Sequence, residues 1–172
     1  MYNFYPKINL NVDNLNTIRL VDITVSAKIK RFLREYSAIS IRPYTISNGE
    51  RPDTVSKRLY DTPYYDYIIL MVNNIENIYD QWPKNPEIFN EYLVKKYGSL
   101  EYARNTIGYF YSPEGYTISQ EFWESITNQN KYRETYLQYE TRLNDDKAKI
   151  RVIDFAYIVK FESDLQELLS NR

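Results

Sequence analysis

Tyr44-Thr45-Ile46-Ser47-Asn48-Gly49-Glu50-Arg51-Pro52-Asp53-Thr54-Val55 is the stretch on which the fold turns. The segment leading into it, Ile39 to Ile46, reads as a strand, with Ile39, Ile41, Tyr44 and Ile46 as apolar steps. Pro43 places that strand at a sheet edge or divides it. Asn48-Gly49 is a turn signal, because both residues tolerate a left-handed backbone. Pro52 suits the first turn of a helix, and Asp53 places a negative charge near its N-terminus. Val55 and Leu59 then share one face. A second helix is expected after Pro63, where Tyr65, Ile68, Ile69 and Val72 recur at helical spacing. Asn73-Asn74 stops it.

Outward from this strand-turn-helix-helix segment the chain reads as α+β. Residues 1–21 are expected to form an extended arm, interrupted by Pro6, Asn9, Asn11, Asn14 and Asn16. Asp22 to Tyr36 is predicted helical, with Ile29, Phe32, Leu33 and Tyr36 on one stripe and Lys28, Lys30, Arg31 and Arg34 off it. Pro86 opens a helix that runs through Tyr97 and stops at Gly98. Thr106–Tyr111 and Tyr116–Ile118 read as a β-hairpin closed by Ser112-Pro113-Glu114-Gly115. Ser119 is an N-cap for a short helix carrying Phe122, Trp123 and Ile126. Asn128 to Lys149 is polar and weakly patterned, and like the arm it is expected to be loosely ordered until a partner binds. Ile150 and Val152 mark a short strand. A C-terminal amphipathic helix carries Ile158, Phe161, Leu165 and Leu168. Three regions follow: an arm over 1–21, a helix and core over 22–100, and a hairpin and strand-helix region over 101–172.

Composition narrows the chemistry. The 172 residues carry 22 Lys and Arg against 23 Asp and Glu, a formal charge of -1. A nucleic-acid binder needs a basic surplus, so none is expected as a partner. Cysteine and histidine are both absent. Their absence removes disulfides, thiolate metal sites, imidazole ligands and every His-dependent triad. The carboxylate pairs Glu121/Glu124 and Asp145/Asp146 lack the spacing of a cation loop or a glycosidase pair. No catalytic residue, metal or cofactor is therefore expected. The longest apolar run, Ile68-Ile69-Leu70-Met71-Val72, is too short for a membrane span. No signal peptide is visible at the start of the chain.

The remaining compositional feature is aromatic. Nineteen Tyr, seven Phe and two Trp make up 16% of the chain. AT-rich codon usage and interface use both account for such an excess, since Tyr joins a large apolar face to a polar tip. Trp82-Pro83 reads either as an interface anchor or as a lid over the protein's own core. Tyr132, Tyr136 and Tyr139 recur near helical spacing among Lys131, Arg133 and Arg142. Glu134, Glu140, Asp145 and Asp146 cancel the field that nucleic-acid stacking would need, leaving a solvated or protein-binding face.

Two resemblances attach to these residues. The segment from Tyr44 through Asn73-Asn74-Ile75 resembles the opening of the LysM fold, a small β-α-α-β unit in which a Gly-Asp-Thr-like turn precedes the first helix. Here the turn is longer, Gly49 to Thr54, and no closing strand is evident after Ile78, where Trp82-Pro83 and Pro86 intervene. Across almost the whole chain, Phe4-Tyr5-Pro6, Val21-Asp22-Ile23, Gly49-Glu50-Arg51-Pro52-Asp53, Asn73-Asn74-Ile75, Gln81-Trp82-Pro83, Lys96-Tyr97, Tyr139-Glu140, Leu143-Asn144 and Ile150-Arg151-Val152-Ile153 follow in one order. That set resembles the base plate wedge protein 53 family of contractile-tailed bacteriophages. The resemblance implies a non-enzymatic virion subunit, assembled in the host cytoplasm. It would bind other baseplate wedge subunits and help join them into a closed, hexameric ring around the hub. The candidate partner contacts are Tyr5 and Pro6 in the arm, Glu50, Arg51 and Asp53 in the turn, Trp82 and Pro83 in the loop, and Tyr97 and Tyr139. The alternatives are a LysM-type glycan or cell-wall binding module and, with little in its favour, a carboxylate hydrolase.

Overall fold

The computed structural model describes residues 7–13, 16–21, 25–36 and 40–170. The elements run β1 (Lys7–Asp13), β2 (Asn16–Val21), α1 (Val25–Glu35), β3 (Ile41–Thr45), α2 (Pro52–Tyr60), α3 (Asp66–Val72), α4 (Ile78–Gln81), α5 (Pro86–Tyr97) and α6 (Leu100–Asn105). They continue with β4 (Ile107–Tyr111), β5 (Thr117–Ile118), α7 (Gln120–Ser125), β6 (Tyr132–Thr135), α8 (Tyr136–Ala148), β7 (Lys149–Ile153) and α9 (Ile158–Ser170). Short 3-10 turns at Pro63–Tyr65 and Phe155–Tyr157 lead into α3 and α9. The fold is α+β, with small sheets β1-β2, β3-β7 and β5-β4-β6. The chain divides into two units. Unit 1 holds Met1–Thr45, Arg51–Ile78 and Ile150–Arg172, and unit 2 holds Ile46–Glu50 and Tyr79–Lys149. The boundary expected between residues 100 and 101 falls inside α6.

In unit 1 the expected arm is a hairpin over much of its length. β1 pairs antiparallel with β2, setting Ile8 opposite Leu20 and Leu10 opposite Ile18. The asparagines that break a helical period leave this period of two intact. The central strand-helix-helix order appears as expected, and the closing strand is β7. It pairs with β3, and at the sheet's end the Asp154 N–H donates to the Ser40 carbonyl at 2.8 Å. The start of one strand thus lies against the end of the other, an antiparallel pair. That strand was not evident after Ile78 because unit 2 is inserted between α3 and its return.

The Asn73-Asn74-Ile75 stretch joins these pieces. The Asn73 amide donates to the Ile69 carbonyl at 2.8 Å and to the Arg151 carbonyl at 2.7 Å, and its oxygen accepts from the Arg151 N–H at 2.8 Å. One side chain therefore satisfies β7 as a neighbouring strand would. Asn74 turns left-handed at φ 54°, and Ile75 is buried. Every residue of α3 from Tyr67 to Val72 is buried, so the helix is apolar on all sides and not only along the expected stripe. α1 packs on α9, where Phe161 takes Phe32 and Tyr36 at ring-centroid distances of 5.4 and 4.8 Å.

In unit 2 the expected signals for α5, the hairpin and α7 all hold. Asn85 caps α5 by accepting from the Ile88 N–H, Pro86 occupies its first turn, and Gly98 ends it at φ 87°. α6, capped by Ser99, has no counterpart in the sequence reading. The segment expected to be loose, 128–149, contains β6 and then α8. β6 pairs antiparallel with β4, setting Tyr132 opposite Tyr111. Thr135 starts α8 with a reciprocal capping box to Gln138.

Candidate interaction surface

The turn that decides the fold has Asn48 at φ 48° and Gly49 at φ 64°, with the Glu50 N–H donating to the Ser47 carbonyl at 3.0 Å. Both central residues are left-handed, which non-glycine residues other than Asn and Asp seldom adopt. Gly49 is needed for a second reason: a Cβ there would collide with the backbone of Asn85 and Lys84. Trp82 lies beside this contact. Its indole N–H donates to the Glu50 carbonyl at 2.6 Å, and the side chain is 4% exposed. Pro83 is buried as well. Asn144 completes the clasp, accepting from the Lys84 N–H at 2.8 Å and donating to the Lys84 carbonyl at 3.1 Å.

A second cluster lies around Glu140, a carboxylate only 4% exposed. It accepts from Lys96 at 2.6 Å, Tyr97 at 2.7 Å and Tyr92 at 3.2 Å. Burial pushes its pKa up, but the hydrogen bonds and the Lys96 charge outweigh burial, so the net shift is downward. The Tyr97 hydroxyl is pushed above its ordinary range, first by burial and then by Glu140. Around this hub the rings stack. Tyr97 lies on Tyr136 at 4.6 Å, Tyr139 lies on Tyr109 at 3.8 Å, and the Arg142 guanidinium lies 5.2 Å from the Tyr139 ring centre. Arg142 also grips Glu134 through two nitrogens at 3.0 Å, holding that carboxylate below its usual range. Tyr111 donates to Glu134 at 3.0 Å.

The candidate contacts therefore separate. Trp82 and Pro83 are interior, so the lid reading of Trp82 replaces the anchor reading. Tyr97 and Tyr139 are half-buried in the ring stack, as is Tyr136, while Tyr132, the first tyrosine of the expected stripe, is exposed. Arg51 is the outward member of the turn, 82% exposed and paired with Asp53 at 3.2 Å. Glu50 lends its backbone to the clasp. Tyr5 and Pro6 lie outside the described residues.

Motif segments far apart in the chain thus meet in pairs: Gly49-Glu50 with Trp82, Lys96-Tyr97 with Glu140, Asn73 with Arg151. They are scaffold, and the solvent-facing aromatics lie elsewhere. Tyr116 is 72% exposed and Phe122 57%, and Trp123, next to Phe122 in the chain, packs on Phe110 at 5.6 Å and carries Lys131 4.0 Å over its ring. Tyr132 is also exposed. The sequence offered a signal for this face, the short helix capped by Ser119 with Phe122 and Trp123 adjacent. Neighbouring helical residues point about 100° apart, so one turned inward and one stayed out.

Among the described residues no group of three or more Asp and Glu side chains converges as a metal-ligand set. No described helix is long and apolar enough to cross a membrane. No protein-family model matches this chain, and no curated protein does.

Proposed function

We propose that this protein is a non-enzymatic structural subunit of a contractile phage tail baseplate. In this reading it binds neighbouring wedge proteins and helps close them into a ring around the hub. The identity of the assembly rests on the ordered sequence motifs. The observation that supports a binding role is the exposure of Tyr116 and of Phe122, the latter next in the chain to the cation-capped Trp123, since exposed aromatics are typical interface anchors. The test is co-expression with the neighbouring tail proteins, followed by affinity purification and electron microscopy of assembled baseplates. The parent chain is expected in the ring. The double variant Phe122→Ala with Tyr116→Ala is expected to fold, by circular dichroism, and to incorporate poorly. A parent chain that never co-purifies with tail proteins ends the baseplate reading.

A second reading is favoured by the order β3-α2-α3-β7 with its antiparallel strand pair. That order fits a LysM-type glycan module. Sedimentation with purified peptidoglycan separates the two, because only the glycan reading expects saturable co-pelleting.

A further inference from the structure

Unit 1 carries an open groove of about 730 Å³ lined by Lys30, Leu33, Arg34, Tyr36, Ile41 and Arg151. Its wall has three cations, and among the described residues no carboxylate lines it. Lys30 and Arg34 stand one helical turn apart on α1, a like-charge spacing that costs a helix a few tenths of a kcal/mol. The Arg34 Nε reaches only the Lys30 carbonyl at 3.3 Å, and Arg151 reaches the Val72 carbonyl at 3.2 Å. Elsewhere among the described residues several cations pair with acids: Arg42 with Asp154, Arg51 with Asp53, Lys57 with Asp61, and Lys149 with Asp146. The groove gathers on one lining three cations that form no ion pair with a carboxylate among the described residues. Among the described residues an acid tied to a lining residue is Asp164, which accepts from the Tyr36 hydroxyl at 3.3 Å. The aliphatic Leu33 and Ile41 line the same groove.

We propose that this groove receives a short acidic, apolar-interrupted segment of a partner protein. Carboxylates of that segment would sit at Lys30, Arg34 and Arg151, and an apolar side chain between them would lie on Leu33 and Ile41. Charge complementarity selects the sign of the partner and fixes its register. The floor selects its class. Single-stranded nucleic acid needs stacking platforms, whereas here the one aromatic, Tyr36, packs its ring against Phe32 and Phe161. The inference does not rest on the baseplate reading, because a peptide titration succeeds or fails whatever assembly the chain joins.

The test is fluorescence anisotropy of the full chain against a labelled hexapeptide of alternating Asp and Leu. Saturable binding that weakens with added salt is expected. The double variant Lys30→Glu with Arg34→Glu should weaken it by roughly tenfold or more. K28E, which changes an exposed α1 cation that does not line the groove, should leave it unchanged. Should the double variant misfold by circular dichroism, Lys30→Gln with Arg34→Gln takes its place with the same expectation. Four results would overturn the proposal: no saturable binding by the parent, equal loss in K28E, tighter binding of an oligo-dT strand, or sedimentation showing that the groove variants abolish self-association, which would make a second copy the occupant.

Discussion

In unit 1 the interior is mostly hydrocarbon. Val55, Ile68, Ile69, Val152, Ile153, Ile158, Phe161 and Leu165 are essentially closed to solvent. In unit 2 only Leu93 among the described large side chains is closed to that degree. Its interior is made of ring on ring and hydroxyl on carboxylate, centred on Glu140 and Glu134. Charge follows the same division: unit 1 has thirteen Lys and Arg against eleven Asp and Glu, unit 2 nine against twelve. One chain thus stabilises one unit by removing hydrocarbon from water and the other by satisfying buried polar groups. The first means depends little on pH, and the second depends on protons staying where they are.

The sharpest way to break this comparison is Phe161→Ala. Phe161 is wholly buried against Phe32 and Tyr36, and its truncation should cost about 4 kcal/mol. Trp82 and Trp123 both belong to unit 2, so tryptophan fluorescence reads that unit while far-UV circular dichroism reads the helices of both. In urea, F161A should show a dichroism change that precedes the fluorescence change. Coincident transitions shifted together would mean that the two interiors unfold as one.

Next in size is Trp82→Ala, at about 3 kcal/mol, from lost burial and the lost hydrogen bond to Glu50. This variant should lower the fluorescence midpoint read from Trp123. A variant as stable as the parent, yet defective in assembly, would restore Trp82 as a partner anchor against its buried position.

The difference between the units also explains what the sequence disclosed. α2, α3 and α9 announce themselves because aliphatic residues recur at helical spacing, and Asn48-Gly49 and Pro52 mark where the chain turns. α8 was hidden because its inward stripe is Tyr136, Tyr139, Glu140 and Leu143. The spacing is helical, but one member is a carboxylate and two are tyrosines with polar tips, so a search for apolar period finds nothing. The Thr135-x-x-Gln138 capping box was the available signal. β7 was legible as a strand, but no local pattern assigns it as β3's partner across an inserted unit. Trp82 and the Gly49 turn were both legible as special residues. That they touch was not, because their contact is long-range.

Smaller still is the effect of Glu140→Gln, at about 2 kcal/mol, because the tyrosine hydroxyls keep an acceptor while Lys96 loses its counter-charge. The pH dependence of the parent has a definite sign. Glu140 and Glu134 are held below their ordinary pKa, so their stabilisation is complete above the usual carboxylate value of about 4.3 and is lost as pH falls through the lower folded values. Acid should therefore loosen unit 2, read by fluorescence, and E140Q should flatten that slope. At the alkaline end the order differs. Tyr60 in unit 1 and Tyr111 in unit 2 are both pushed up to about 12, chiefly by burial. Their contribution is complete below about pH 10 and falls as pH rises toward 12, so alkali should reach both units.

Arg51→Ala should have the least effect on the fold, and for that reason it tests function most cleanly. The guanidinium is 82% exposed and its pair with Asp53 is a surface ion pair, so its loss should change stability by about 0.5 kcal/mol or less. Its neighbours do the structural work: Gly49 holds the turn, and the Glu50 carbonyl takes the Trp82 indole. Arg51 is the part of the turn left facing water, with charge and reach but little to hold in place. If the turn touches a partner, R51A should melt with the parent and incorporate into assembled tails less well, most visibly at low salt, where an interfacial charge acts most strongly. Equal incorporation of R51A and the parent at low salt would leave the turn a purely internal device. The binding role would then fall to the exposed rings of Tyr116 and Phe122.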